Sequence, residues 1–280
     1  MKKTLGIVGT GRLGSALAAA LAQKNYPVSG INDTDAVKGQ AIADKLKLKF
    51  YADSKELAEK SDAIFLAVPD SIIAPAAEDI LAYCKKPLIL LHPSGALSAY
   101  ALPEAQNAYR GSFHPLQSFV SENTIFKDIY VTMDGDKEAL ETAKTLCLIL
   151  EAKPLLVPAD DRALYHAAAC MASNYLVTLL SEVEDVFSRW APSPEEARKA
   201  FWPLIKGTVD NFEKFGKPAL TGPIARGDTS TVKKHLAILP DEYRNIYTVM
   251  AEYTAKLACE QNMIPKEKSE EIFFVIKSFL

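Results

Sequence analysis

Apolar positions along this chain come in two textures. Over the first 158 residues, short uninterrupted apolar runs alternate with longer segments of mixed apolar and charged residues; TLGIV (4–8), AIFLAV (63–68) and PLILL (87–91) are such runs. Runs of this length, bounded by glycine, proline or polar residues, mark buried strands. Between them, SALAAALAQK (15–24) is built largely from strong helix formers. A further strand is expected near 28–31. Strand and helix in alternation argue for a mostly parallel sheet with helices on both faces. IYVTM (129–133) and PLLVP (154–158) flank a helical segment at 138–150 and are expected to be two more strands that close this domain.

The second texture begins after Pro158. ADDRALYHAAACMASNYLVTLLSEVEDVFSRW (159–190) shows no strand alternation and predicts one helix. Asp160 and Asp161 suit its cap and first turn, and APSP breaks it after Trp190. More helices are expected at 194–215, 229–239, 241–262 and 266–279. The chain thus divides into an α/β domain, 1–158, and a helical domain, 159–280.

GTGRLG directly follows the first apolar run, with Gly9, Gly11 and Gly14 in G-x-G-x-x-G spacing around Thr10, Arg12 and Leu13. Between a strand and a helix this is the dinucleotide-binding fingerprint of a Rossmann fold, a doubly wound parallel sheet. Gly9 makes the turn, Gly11 lets backbone approach a pyrophosphate, and Gly14 lets helix and strand pack closely. Asp33 follows Gly14 by 19 residues, where an acidic residue binds the ribose hydroxyls of NAD. Asn32 suits that place equally, and Lys38 with Arg12 could neutralise the extra phosphate of NADP. The cofactor is therefore NAD(P), with NAD and NADP left open.

In doubly wound sheets ligands sit at the carboxyl ends of the strands. Those ends are VPDS (68–71), HPSGA (92–96) and FHPLQSF (113–119). Val68, Pro69, Ser94 and Gly95 are candidates for the cofactor. His92, His114 and Gln117 add polar chemistry, the histidines each held by a following proline. A metal bound by His92, His114 and His166 has no supporting ligand spacing, so none is expected.

In YHAAACMASNYL (165–176), helical spacing puts His166, Cys170, Ser173 and Val177 on one stripe with Asn174 beside it. The surrounding alanines suggest a helix buried nearly all round. Polar groups in such a place need partners, which points to a site and not to packing alone. LTGPIARGDTSTVKKHL (220–236) gathers Arg226, Thr229, Ser230 and Thr231 at a helix N-terminus, an arrangement that suits a carboxylate or phosphate as well as a simple cap.

Composition narrows the function. With 280 residues, 49% of them hydrophobic and 24% charged, the chain can bury a core without staples. A net charge of -3 and the lack of a Lys/Arg-rich run argue against nucleic acid. Four widely spaced cysteines suggest reduced thiols in the cytoplasm. The N-terminal MKKTLGIVGTGRLG, interrupted by glycines, reads as a strand and not a signal peptide. No uncharged apolar run of about 18 residues stands out, so no membrane span is expected.

GTGRLG, LAVPD, HPSGA, GSFHPLQSF, YHAAACMASN and LTGPIARGD, in this order, resemble a bacterial Rossmann-like family whose helical C-terminal part is a domain of unknown function (2520). The resemblance spans essentially the whole chain. Its wider relatives are pyrroline-5-carboxylate reductase, ketopantoate reductase, deazaflavin-dependent NADP reductase and the β-hydroxyacid dehydrogenases. It implies a 6-phosphogluconate dehydrogenase-like arrangement, NAD(P), a homodimer formed through the helical domain, and an active site in the cleft between domains. By that likeness Ser94 and Gly95 touch nicotinamide or substrate. The position of the β-hydroxyacid dehydrogenases' catalytic lysine holds His166. Cys170 stands where their asparagine is, and Asn174 lies a turn further on. The expected function is hydride transfer with a small carbonyl, alcohol or imine compound; the alternative is a dinucleotide-binding sensor or scaffold without turnover. His166 is the first candidate for proton transfer and His114 the second. Asn174, Ser94, Gln117 and Ser173 are expected to orient the substrate, and Arg226 and Thr229 to bind an anionic group on it.

Overall fold

The computed structural model describes residues 3–121 and 124–279. The reading of the N-terminal segment falls partly on Met1 and Lys2, outside the described residues. Packing divides the chain into two compact units, Met1–Tyr175 and Leu176–Leu280.

The first unit runs β1 (Leu5–Val8), α1 (Arg12–Gln23), β2 (Val28–Asn32), α2 (Ala36–Leu46), α3 (Ser54–Glu59), β3 (Ala63–Leu66), α4 (Asp70–Tyr83), β4 (Leu88–His92) and β5 (Ala108–Ser112). These strands form one sheet in the order β2-β1-β3-β4-β5, every neighbouring pair parallel. The expected doubly wound sheet is present. Its central strands β1, β3 and β4 are buried along their whole length because both faces are covered. Along β3, Ala63 and Phe65 enter one core with Leu17 and Leu21 of α1, while Ile64 and Leu66 enter a second with Ile73 and Ile80 of α4. The two-residue period of a strand sends alternate side chains to opposite faces. β5 reads AYRGS and has no apolar run, so hydropathy alone does not reveal it.

The two strands expected to close this domain are present, and they lie outside the five-stranded sheet. β6 (His114–Pro115), β7 (Tyr130–Met133) and, after α5 (Lys137–Leu150), β8 (Lys153–Leu156) form a separate three-stranded sheet. β7 pairs antiparallel with β6 and parallel with β8. A bridge between Gly111 and Gly135 links it to β5.

The expected single helix at 159–190 is a 3-10 turn (Ala159–Asp161), α6 (Arg162–Ala172) and α7 (Asn174–Phe187), interrupted at Ser173. Nor is it buried all round. Arg162 is the one buried residue of α6, and α7 has none among the described residues. The alanines leave the helix narrow, and Ala167 and Ala168 are exposed. The run Ala159–Phe187 is in fact long and apolar enough to cross a membrane by length and composition, contrary to the sequence expectation, and none of its most apolar 18-residue window is buried. Ala163 to Ser181 holds no charged residue, but the polar His166, Ser173 and Asn174 hid the run from a search for purely apolar stretches.

The compact first unit passes Pro158 and takes in α6, because Arg162 is tied to the sheets. The second unit holds α8 (Pro194–Phe215), α9 (Thr229–Ile238), α10 (Asp241–Glu260) and α11 (Lys266–Lys277). Val232 and Leu236 of α9 pack with Ala251, Ala255 and Ala258 of α10 and with Ile272 and Ile276 of α11. Ser193 caps α8, accepting from the Glu196 N–H, and Pro194 opens its first turn.

Candidate active site

Because β1 to β5 are parallel, their carboxyl ends share one edge of the sheet. The glycine loop leaves β1 on that edge. Gly9 takes φ +95°, and a side chain there would strike the Ala67 carbonyl. A side chain at Gly14 would strike the carbonyl of Gly9, so α1 is pressed onto the loop. Gly11 differs: a Cβ there would meet nothing within 4 Å, and α1 begins at Gly11 without a side-chain cap. Free N–H groups at an uncapped helix start, with open space above them, fit a pyrophosphate. Arg12 and Lys38 are exposed and line the same hollow as Thr10, Gly11 and Ser15, while Leu13 packs against the core.

Asn32 is buried, and its amide donates to the Tyr51 carbonyl at 2.8 Å, so it faces into the fold and not a ribose. Asp33 occupies the loop side. One carboxylate oxygen accepts from the N–H and hydroxyl of Thr10 at 2.6 and 2.5 Å, and the other from Asp35 N–H at 2.9 Å. Burial works to raise its pKa, but these bonds and nearby Lys38 outweigh it and hold the carboxyl below its usual value. Val68 is half-buried, and Pro69 is exposed at the start of α4.

A second group of polar residues gathers where β4 and β5 end. His92 is fully buried; its Nε2 donates to the Ser98 carbonyl at 3.1 Å, and its Nδ1 accepts from Ser94 N–H at 3.3 Å. Both nitrogens serve the backbone, and burial lowers its pKa. Its role is structural. The Ser94 hydroxyl donates to Asp70 at 2.8 Å and accepts from Leu97 N–H at 3.0 Å. Gly95 lies beneath two imidazoles. A Cβ on it would collide with His166 Nδ1 and lie 2.9 Å from His114 Nε2. The two rings meet edge to face, centroids 6.0 Å apart. His114 Nδ1 is 2.7 Å from the Tyr165 hydroxyl, and His166 Nε2 is 3.7 Å from Cys170 Sγ. His166 Nδ1 is buried with no hydrogen-bond partner among the described residues. Burial first, then Arg162 and His166, push the pKa of His114 down to about 4, so it is neutral at pH 7.

This cluster is anchored by Arg162, which is 1% exposed. Its guanidinium donates to the Ser94 carbonyl at 2.6 Å and to Thr132 Oγ1 at 3.2 Å, and sits 3.7 Å from Asp134. Asp134 accepts in turn from Ala99 N–H and the Ser112 hydroxyl. Arg162 thereby binds α6 to β7 and to the Ser94 loop, which sets His166 against Gly95.

Ser173 and Asn174 are exposed at and beyond the break in α6. Gln117 is exposed, and its side chain accepts from the next residue's N–H at 2.8 Å. Arg226 and Thr229 belong to the second unit, where the Thr229 hydroxyl donates to Glu271 and Asp228 caps α9. Three bonds from Thr231 and Ser230 hold Asp228 at a pKa of about 2, so a carboxylate of the chain itself sits where an anion was expected. Arg162, Tyr165, Asp134 and Asp70 were missed. An arginine in a first turn reads as solvated, and only contacts distant in sequence mark it as buried. Tyr165, adjacent to His166, was the one visible signal. No group of three or more metal-ligating side chains occurs among the described residues.

Residues 4–91 match the family described as NADP oxidoreductase, coenzyme F420-dependent, and residues 129–254 match domain of unknown function 2520. No curated protein matches the chain. A candidate NADP oxidoreductase of Bacteroides fragilis superposes with a TM-score of 0.77 at 20% identity, covering 91% of this chain and 98% of its own. A Thermotoga maritima protein gives 0.72 at 24%, covering 92% and 99%. Pyrroline carboxylate reductase of Plasmodium falciparum, solved with NADP bound, gives 0.59 at 17%, covering 97% and 99%. At these identities the structures establish a shared fold.

Proposed function

From a chain that joins an NADP-binding oxidoreductase domain to a domain of unknown function 2520, we propose an NAD(P)-dependent oxidoreductase acting on a small carbonyl, alcohol or imine compound. One observation carries this reading: His114 and His166 converge over Gly95 on the sheet edge that also bears the open, uncapped glycine loop. The loop from Gly9 to Gly14 holds the pyrophosphate, and the loop at Ser94 and Gly95 the nicotinamide end, with Val68 and Pro69 beside it. When bound, the nicotinamide supplies or takes the hydride. His166 gives or takes the proton at the substrate's oxygen or nitrogen, an ordinary task for imidazole. Neutral His114 holds a hydrogen bond to the same group. Asn174, Gln117, Ser173, Arg226 and Thr229 remain assigned to the substrate, and each assignment predicts a raised KM on alanine substitution.

Asp33 is engaged by Thr10 and by the Asp35 N–H, and Arg12 and Lys38 are exposed cations beside the glycine loop. That favours NADP. The helical part, 159–280, serves substrate binding and forms a homodimer, and four free cysteines suit the reducing cytoplasm.

The test is a fluorescence titration with NADH and NADPH side by side. Tighter NADPH binding is expected, and Arg12→Ala with Lys38→Ala should remove the preference. Binding of neither nucleotide overturns the proposal. Binding without hydride transfer to any of a panel of carbonyl and imine compounds makes the protein a dinucleotide sensor instead.

A further inference from the structure

Two imidazoles facing one gap leave open which of them gives a proton and which receives one. A neutral imidazole carries its proton on one nitrogen, and the hydrogen bond made by the other nitrogen decides which. At His114 the partner is fixed: the Tyr165 hydroxyl lies 2.7 Å from Nδ1, held edge-on against the ring at 82°. A phenol is a better donor than an aliphatic hydroxyl, and an imidazole nitrogen is a better acceptor than a phenol oxygen. The Tyr165 proton therefore goes to Nδ1. Thr132 Oγ1 takes a bond from Arg162 and lies 3.4 Å from the His114 carbonyl, to which it donates its own proton. Arg162 also stands 5.5 Å from the centre of the Tyr165 ring.

We propose that Tyr165 is a positioning residue: its O–H fixes His114 as the Nε2–H tautomer, so that over Gly95 His114 is the hydrogen-bond donor and the unpartnered Nδ1 of His166 the acceptor. The inference deepens the proposed function and rests on it for its catalytic meaning. It assigns the proton-accepting role to His166 alone. His114 then serves as a fixed donor to the substrate's oxygen or nitrogen, and its second-choice role in proton transfer lapses. A group that both accepts and donates, such as an alcohol hydroxyl, matches this polarity. The charged and titratable groups that bear on His114 are Arg162, Tyr165 and His166 from α6 and Asp70 from α4. Arg162 and burial oppose a proton on His114, and Asp70 favours one.

The tautomer can be read without any substrate. In 15N-labelled full-length protein, long-range 1H–15N correlations of His114 should show Nε2–H from pH 5 to 8. Tyr165→Phe keeps the ring and removes the donor; it should give a mixture of tautomers and a raised titration point for His114, with the backbone amide spectrum preserved. An Nδ1–H tautomer in the native protein overturns the proposal, as does a Tyr165→Phe spectrum with His114 unchanged. Should the tyrosine variant misfold, the native tautomer still decides. Once a substrate is known, Tyr165→Phe should lower kcat by about tenfold, the scale of one hydrogen bond, and move the acid limb of the pH profile upward, with KM for the nucleotide unchanged. Absence of nucleotide binding would sink the oxidoreductase reading but leave the tautomer result standing, so the two failures are distinguishable.

Discussion

His114 links the site to stability at the scale of single residues. Its folded pKa of about 4 lies below the ordinary 6.5, with burial the main cause. Between those two values the unfolded chain binds a proton that the folded chain does not. Stability is therefore full above pH 6.5 and falls as the pH drops towards 4, by up to about 3 kcal/mol from this residue. His92, lowered by burial too, acts in the same direction. Melting temperatures of the native protein and of His114→Gln should diverge at pH 7.5 and converge at pH 4.5; parallel curves would show that His114 is not held neutral. Gly11 makes a complementary case. A Cβ there meets nothing and the backbone angles, φ −63° and ψ −174°, suit alanine, so Gly11→Ala should cost no more than about 1 kcal/mol. On the proposed function the same methyl group stands where the phosphate approaches. Nucleotide affinity should fall at least about tenfold, and unaltered affinity would move the pyrophosphate elsewhere.

At the scale of elements, α6 depends on one buried ion pair. Arg162 and Asp134 are 1% and 7% exposed, and the arginine also donates to Ser94 and Thr132. Removing one partner of such a pair leaves an uncompensated charge and costs about 3–5 kcal/mol. Arg162→Met should lower the urea midpoint accordingly, and adding Asp134→Asn should restore part of the loss. An additive double variant would mean that the two charges do not couple. The sequence made α6 legible as a helix bearing His166, because helix propensity is a local signal, although Asp161 at its N-cap makes no side-chain capping bond. It concealed the arginine's burial, since Thr132, Asp134 and Ser94 lie 30, 28 and 68 positions earlier in the chain. The same limit hid the separate sheet of β6, β7 and β8. Apolar runs at 129–133 and 154–158 marked strands correctly but carried no information on pairing. The glycine loop was legible in full because strand, turn and helix are contiguous. Asn32 and Asp33, adjacent and similar in size, could be told apart only by the direction each side chain takes from the end of β2.

The largest scale turns on surface that the chain leaves uncovered. Along α8, Trp202, Val209 and Phe212 are 55%, 52% and 62% exposed, and with Ile205 between them they repeat at the spacing of one helix face. Met171, Tyr175 and Val177, from the uncharged run, are exposed as well. Periodicity marks such a face as apolar without saying what covers it, which is why the alanine-rich helix was expected to be buried. An exposed apolar helix face of this kind indicates a partner. A second copy of the chain accounts for it with the polar His166 and Asn174 left in the same run, which a bilayer would penalise. Sedimentation at micromolar concentration should give a dimer near twice 30.6 kDa. Phe212→Glu with Val209→Glu should give a folded monomer, because a charge buried without a partner at a dimer interface costs several kcal/mol. A monomeric native protein would remove the homodimer. Recovery of the native protein only in detergent would turn attention to the uncharged run at 163–181 as a membrane-seeking segment.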